Sequence, residues 1–314
     1  MRFYLFTTVK FVDQCIEHGI YGSTNSNWLA NVDTGDIIFI SQFNFLEQKI
    51  YGPFKVVKNL FYDKKLIYPG QRYYFRVAIS PLFNTVRKIE ETDIFLKGIQ
   101  ENNLSFASDF ICLIQQNKHL HTIPLTNAEG DYLLQIFNNY GQDSLTPSGV
   151  FVKNPDTLDV NSELILEKGK VLKNNYFTSE SDLETFVIFE LKKEKDFFNN
   201  FCKILKKFPN NDLNESEVYN QFIFGNAYPC DIIILNEENI NILELKKNSL
   251  CNISLNMVEK EFRKYCYYSL FSNRIKEKFK KRLNFFLIIA KDKSNQLISK
   301  NVIELFNKVI QPIE

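Results

Sequence analysis

The 314-residue chain predicts an α/β (α+β) protein of two domains, a small mixed β-barrel followed by an α/β domain. Three observations carry that prediction. The length exceeds what one hydrophobic core ordinarily serves. Residues 1–140 hold short apolar runs parted by turn-forming clusters, which is how a small barrel reads. Residues 175–314 instead mix helical patterns with DIIILNEENINILELKK (231–247), a β-hairpin with charged residues at its open end.

Taken in order, MRFYLFTTV (1–9) alternates apolar and polar residues and predicts a strand. FVDQCIEHGIYG (11–22) predicts a short helix or a loop closing at Gly19 and Gly22. STNSNW (23–28) is polar and turn-prone and ends in the single tryptophan. A turn at Thr34-Gly35-Asp36 leads into a strand over 37–40, and 50–63 predicts another, broken at Gly52-Pro53. YYFRVAISPL (73–82) predicts a further strand that ends at a proline. Tyr62-Asp63 and Asp131-Tyr132 read as ordinary turn and helix-start residues.

This ordered series resembles a family. A first strand, a polar loop carrying Trp28, GDIIFI (35–40), IYGPFKV (50–56) and YPGQRYYFRVAISPL (68–82) are similar to the EVE-type PUA-like domain, a relative of YTH domains. LSFASDF (104–110) and PLTNAEGDYLLQIF (124–137) resemble its closing segment and final helix, so the likeness covers about residues 1–140. It implies a domain that reads a modified base with aromatic side chains. Trp28 would then be a pocket wall on which an extruded base stacks, with Tyr21, Asn27 and Ser41 beside it. The plainer alternative packs Trp28 into the small core. His119 and His121 read as loop residues with no catalytic part.

Composition shifts toward turn formers between residues 138 and 175, which places the domain boundary there. The expected division is 1–140, a linker over 141–174, and 175–314, with strands over 149–152 and 164–172 flanking the linker.

In the hairpin, side chains alternate, so Glu244 and Lys246 share one face while Leu243 and Leu245 take the other. Antiparallel pairing brings Asp231, at the start of the first strand, beside Glu244. Two carboxylates and an ammonium at the edge of an apolar hairpin suit a hard divalent cation and a phosphate. The alternative is a salt-bridged surface edge in a chain rich in Lys and Glu.

The spacing D-x(12)-E-x-K resembles the PD-(D/E)XK nuclease core. SESDLETFV (179–187) reads as a helix with Ser179 at its N-cap, and Glu184 falls where that superfamily places a helical acid. EFRKY (261–265) resembles the Q-x-x-x-Y helix motif of one branch, with Glu261 where glutamine is usual. LNFFLIIAKD (283–292) and NVIELFNKVI (301–310) look like the next strand and the closing helix. The order is similar to the catalytic domain of the NucS-like (DUF91-type) nucleases. The resemblance implies that Asp231 and Glu244 hold Mg²⁺ or Mn²⁺, with Glu184 as a further ligand or supporting acid. Lys246 would orient water or offset charge on the phosphoryl oxygens, and Lys264 and Tyr265 would lie at the rim. In RIKEKFKKR (274–282), six basic residues stand against one acid. Arg274, Lys278, Lys281 and Arg282 are candidates for phosphate-backbone contacts, or else the cations of an exposed helix end.

Composition excludes more than it selects. A net charge of +1 names no partner. Six scattered cysteines, no CxxC and three histidines leave no zinc site and little room for an HNH nuclease. No Walker-type loop, signal peptide or long apolar run is present, so a cytoplasmic protein with no membrane contact is expected. The combined expectation is a restriction-type, modification-dependent DNA endonuclease, with a homodimer available for duplex breaks. The alternatives are a NucS-like repair nuclease for mismatched, branched or single-stranded DNA, and a non-catalytic binder of modified DNA or RNA.

Overall fold

A computed structural model describes residues 1–43, 48–100, 104–144, 151, 153–173, 177–193, 216–224, 229–247, 255–275 and 280–289. The chain divides into two compact units, Met1–Val160 and Asn161–Glu314.

The first unit is built on a mixed sheet in the order β2-β5-β4-β3-β1-β7. Its strands are β1 (Phe3–Thr8), β2 (Ile20–Ser23), β3 (Ile37–Phe43), β4 (Gln48–Tyr62), β5 (Phe75–Pro81), β6 (Arg87–Glu90) and β7 (Thr122–Leu125). β1 runs parallel to β3 and antiparallel to β7, and β4 is antiparallel to β3, β5 and β6. No ladder between β2 and β7 closes the sheet among the described residues. The Tyr21 hydroxyl joins these edges instead, 2.8 Å from both the Thr7 and His121 carbonyl oxygens and able to donate to either. Gly52-Pro53, expected to interrupt a strand, lies inside the continuous 15-residue β4.

Residues 11–22 settle as helix α1 (Val12–His18), which ends on Gly19 at φ 58°, followed directly by β2. That left-handed angle is the helix stop glycine supplies at little cost. The polar loop contains the short helix α2 (Asn27–Ala30). Helices α3 (Glu91–Gln100) and α4 (Leu104–Asn117) follow β6, and α5 (Asn127–Tyr140) follows β7. In α5, Thr126 and Glu129 form a reciprocal capping box. Gly130 lets α5 sit on β1, because a Cβ there would come within 2.0 Å of the Phe3 ring.

The first unit continues past the expected limit at 140. β8 (Gln142–Asp143) pairs with β6 and β9 (Leu158–Asp159) pairs with β4, so main-chain bonds hold these residues to the first sheet. The segment 164–172, expected as a strand, is helix α6 (Ser162–Lys173) of the second unit. Its apolar residues looked strand-like, but the Asn161 side chain accepts the Leu164 N–H at 2.8 Å and starts a helix. The strand expected over 149–152 falls almost wholly outside the described residues.

The second unit carries a four-stranded sheet in the order β10 (Glu217–Ile223), β11 (Pro229–Leu235), β12 (Asn239–Lys246) and β13 (Arg282–Ile289). β10–β11–β12 is antiparallel and β13 joins parallel to β12. Helix α7 (Glu180–Lys193) precedes the sheet. Ser179 caps it by accepting the Asp182 N–H at 3.1 Å. Helix α8 (Leu255–Phe271) connects β12 to β13. Its Val258, Phe262 and Tyr265, spaced for one helix face, share a buried core with Tyr219, Phe222, Ile233 and Ile242. The chain order is thus α7-β10-β11-β12-α8-β13. The expected closing helix at 301–310 lies outside the described residues. No described helix is long and apolar enough to cross a membrane.

Candidate functional site

Two groups of side chains combine chemistry with a defined position, one in each unit.

In the second unit, the hairpin register pairs Ile232 with Leu243, so the next positions outward are Asp231 and Glu244. Asp231 is half-buried and its Oδ2 accepts the Leu245 N–H at 2.8 Å. Glu244 is only 3% exposed. Lys246 donates to Glu244 Oε1, and its Nζ lies 3.9 Å from Glu261 Oε2. The Tyr265 hydroxyl, projecting from α8, is 3.3 Å from both Glu244 Oε2 and the Pro229 carbonyl. From α7, buried Glu184 receives the Gln221 side-chain amide at 2.9 Å on each oxygen. The expected juxtaposition of Asp231, Glu244 and Lys246 is therefore present, and Glu184 contributes to the same electrostatic environment.

The charges there are unbalanced. Burial, then the Glu184 charge, pushes the Asp231 carboxyl up to about 7. Burial and Asp231 hold Glu244 well above the ordinary carboxylate range. Burial works against the Lys246 ammonium, but Glu244, Asp231 and Glu261 outweigh it and raise its pKa. Burial and Glu244 raise the Tyr265 phenol, so that it stays a hydrogen-bond donor.

Such an oxygen-only, negatively charged set suits a hard cation such as Mg²⁺ or Mn²⁺. No group of three or more His, Cys, Asp or Glu side chains among the described residues is arranged to hold a metal. Mg²⁺ commonly takes one or two carboxylates, with waters and substrate phosphate completing its shell. Asp231 and Glu244 fit that pattern. Glu184 was a candidate ligand, and because Gln221 engages both of its oxygens it fits the supporting role better.

In the basic run, two side chains are engaged by main-chain carbonyls. Arg274 donates to the Ile223 carbonyl and lies 4.4 Å over the Phe222 ring, so it ties α8's end to β10. Lys281 donates to the Asn236 and Glu237 carbonyls, and the Arg282 N–H to Glu238 at 2.6 Å, closing β13 against the hairpin turn. Main-chain carbonyls thus hold the Arg274 and Lys281 side chains, whereas the Arg282 side chain is exposed. Lys264 is exposed on α8, Tyr265 is buried, and Lys278 lies outside the described residues.

In the first unit, half-buried Trp28 stands 6.0 Å from the His121 ring, which stands 5.7 Å edge-on from Tyr73. Tyr73 in turn meets Tyr68 at 5.2 Å and Phe11 at 5.9 Å. Gly22 makes this cluster possible, since a Cβ there would fall 2.8 Å from the Tyr68 ring and 2.9 Å from Tyr73 Cβ. The segment carrying both tyrosines is stapled by Arg76, which is 1% exposed. Its guanidinium pairs with Asp63 and donates to the Lys65 and Tyr73 carbonyls. Asp63, read from the sequence as a turn residue, is thus a buried partner of Arg76.

The expected companions of Trp28 take other places. Asn27 is buried on α2. Tyr21 is 2% exposed and bridges strand edges through its hydroxyl, so it backs the cluster and does not line it. Ser41 is fully buried and donates to Glu91, which pairs with buried Lys118 at 2.9 Å. His121, Tyr73 and Tyr68 were missed because they come from segments far apart in sequence. Burial lowers the His121 pKa, which favours the neutral ring. The one readable signal was the density of aromatic residues in YPGQRYYF.

No protein-family model matches the sequence, and no curated protein matches it. Among solved structures, human THYN1 in complex with 5-methylcytosine-containing DNA is similar at 16% identity. The likeness covers 43% of this chain and 97% of that one, with a TM-score of 0.33. The DUF55 domain of human thymocyte nuclear protein 1 is similar at 16% identity, over 42% of this chain and 96% of its own, with a TM-score of 0.31. A protein from Agrobacterium tumefaciens is similar at 14% identity, over 48% and 99%, with a TM-score of 0.29. At these TM-scores the likeness carries no functional argument, and the reading that follows rests on this chain's own residues.

Proposed function

We propose that the chain is a modification-dependent DNA endonuclease, with an EVE-like first unit that reads a modified base and a PD-(D/E)XK-like second unit that cuts. The observation that carries the cutting half is the meeting of Asp231 and Glu244 at the open end of the β11–β12 hairpin, with Lys246 on Glu244. The chain order α7-β10-β11-β12-α8-β13 supports it, because α7 brings Glu184 and α8 brings Tyr265 to the same strand ends. The aromatic cluster of Trp28, His121 and Tyr73 supports the reading half. Flat rings with a neutral imidazole offer stacking surface for an unstacked base.

In this reading, water attacks phosphorus and the bond to the 3′ oxygen breaks, leaving a 5′-phosphate and a 3′-hydroxyl. Asp231 and Glu244 would hold Mg²⁺ or Mn²⁺, which supplies Lewis acidity at the phosphate when bound. The Lys246 ammonium would face the phosphoryl oxygens as negative charge grows on them. Tyr265 would hold Glu244 in place through its hydroxyl. A single site cuts one strand, so duplex breaks would take two copies of the chain.

The test is cleavage with Mg²⁺ and Mn²⁺ of matched duplexes, unmodified or carrying methylated or hydroxymethylated cytosine or methylated adenine, with Asp231→Ala as control. Cutting confined to a modified duplex and lost in the variant is the expected result. Equal cutting of every duplex would replace it with a NucS-like repair nuclease. No cutting of any DNA would leave a binder of modified DNA or RNA.

A further inference from the structure

We infer that Gln221 is a positioning residue of the acidic site, holding the Glu184 carboxylate in place from the strand beside the hairpin. The inference rests on the nuclease reading and extends it to a residue outside the D-x(12)-E-x-K pattern.

Three observations meet at this residue. Gln221 has φ 53°, the one non-glycine residue with positive φ among those described, and it sits within strand β10. Left-handed backbone is costly for a residue with a Cβ and persists where the surroundings demand it. Tyr219 and Phe222 both enter the core shared with α8, although they are three residues apart. A regular strand repeats its faces every two residues, so the alternation is interrupted between them, where Gln221 lies. The β10–β11 register pairs Asn220 with Ile232 and Phe222 with Cys230, which sets Gln221 opposite Asp231.

The interruption serves a contact. Gln221 is 8% exposed, and its side-chain amide reaches both oxygens of buried Glu184 at 2.9 Å. Glycine would adopt this backbone freely but has no donor to offer. An apolar side chain would carry the same conformational cost and withdraw the amide donor from both carboxylate oxygens. Of these, glutamine alone offers a donor that fixes the carboxylate from this position. Gln221 touches neither metal nor substrate in this scheme and acts through Glu184.

The test uses the full chain and Mn²⁺ alone, with binding followed by electron paramagnetic resonance and folding by thermal unfolding. Asp231→Asn serves as the reference for site-specific binding. Gln221→Leu removes the donor at similar size, and Gln221→Gly removes it while relieving the backbone. Each is expected to weaken Mn²⁺ binding about 5- to 10-fold, at or below the low end of the range for residues that orient a ligand directly, because Gln221 acts through the supporting Glu184. Gln221→Gly is expected to unfold within a few degrees of the wild-type temperature, the relieved backbone offsetting much of the lost donor, which a purely structural role would not allow. Binding within twofold of wild type in both variants would overturn the inference and leave the nuclease reading standing. A Gln221→Gly chain that melts well below wild type would also overturn it, by making the residue a structural support. Wild-type protein with no Asp231-dependent Mn²⁺ binding would overturn both.

Discussion

Replacing Asp231 with asparagine should stabilise the metal-free protein, and should do so more strongly as pH rises. The substitution keeps the side chain's size and leaves an oxygen to accept the Leu245 N–H. It removes a charge that burial and Glu184 oppose. In the unfolded chain this carboxyl titrates near 3.8, whereas in the folded chain it titrates at about 7. The folded state therefore keeps the proton longer. Below about 4 both states are protonated and the group costs nothing. As pH climbs from there to about 7 the penalty grows, and above that it is complete. The gap between 3.8 and about 7 sets a ceiling of about 4 kcal/mol. Asp231 is only half-buried and shares its charge with neighbouring acids, so about 2 kcal/mol is the expected gain at pH 8. For a unit of this size that raises the melting temperature by roughly 4–8 °C. The assay is thermal unfolding of both proteins in chelator at pH 4, 6 and 8. The advantage of Asp231→Asn should be near zero at the lowest pH and largest at the highest. A variant that melts below wild type at pH 8, or a pH-independent difference, would refute the picture of an acidic site held together against its own repulsion.

In the first unit, Arg76→Met should cost about 3–5 kcal/mol by stranding Asp63 as a buried, unpaired charge. Urea unfolding would measure it, and adding Asp63→Asn should recover part of the loss. Trp28→Ala should cost about 1–2 kcal/mol of stability, less than truncating a core aromatic, since the ring is only partly buried. It should weaken binding to the preferred modified duplex by about 1–3 kcal/mol, the cost of one stacking partner, as read by fluorescence anisotropy. A large drop in stability with unchanged binding would return Trp28 to the core.

What the sequence determined by itself was local in origin. The hairpin was legible because alternation puts Glu244 and Lys246 on one face, and antiparallel pairing sets Asp231 opposite Glu244. The α7 start was legible because Ser179 is a capping residue ahead of a run free of glycine and proline. Tertiary structure decided what local pattern cannot carry. β8 and β9 drew residues past 140 into the first sheet, whereas the helix over 164–172 starts from the local Asn161 cap. Main-chain carbonyls engage Arg274 and Lys281, which composition alone offered to DNA. Trp28, Tyr73 and His121 meet only because strands remote in sequence pair, and Gln221 finds Glu184 across 37 positions. Periodicity reports which side of an element faces the core, whereas a site is a meeting of elements. The partners in that meeting are set by packing and by the obligation to satisfy each buried polar group.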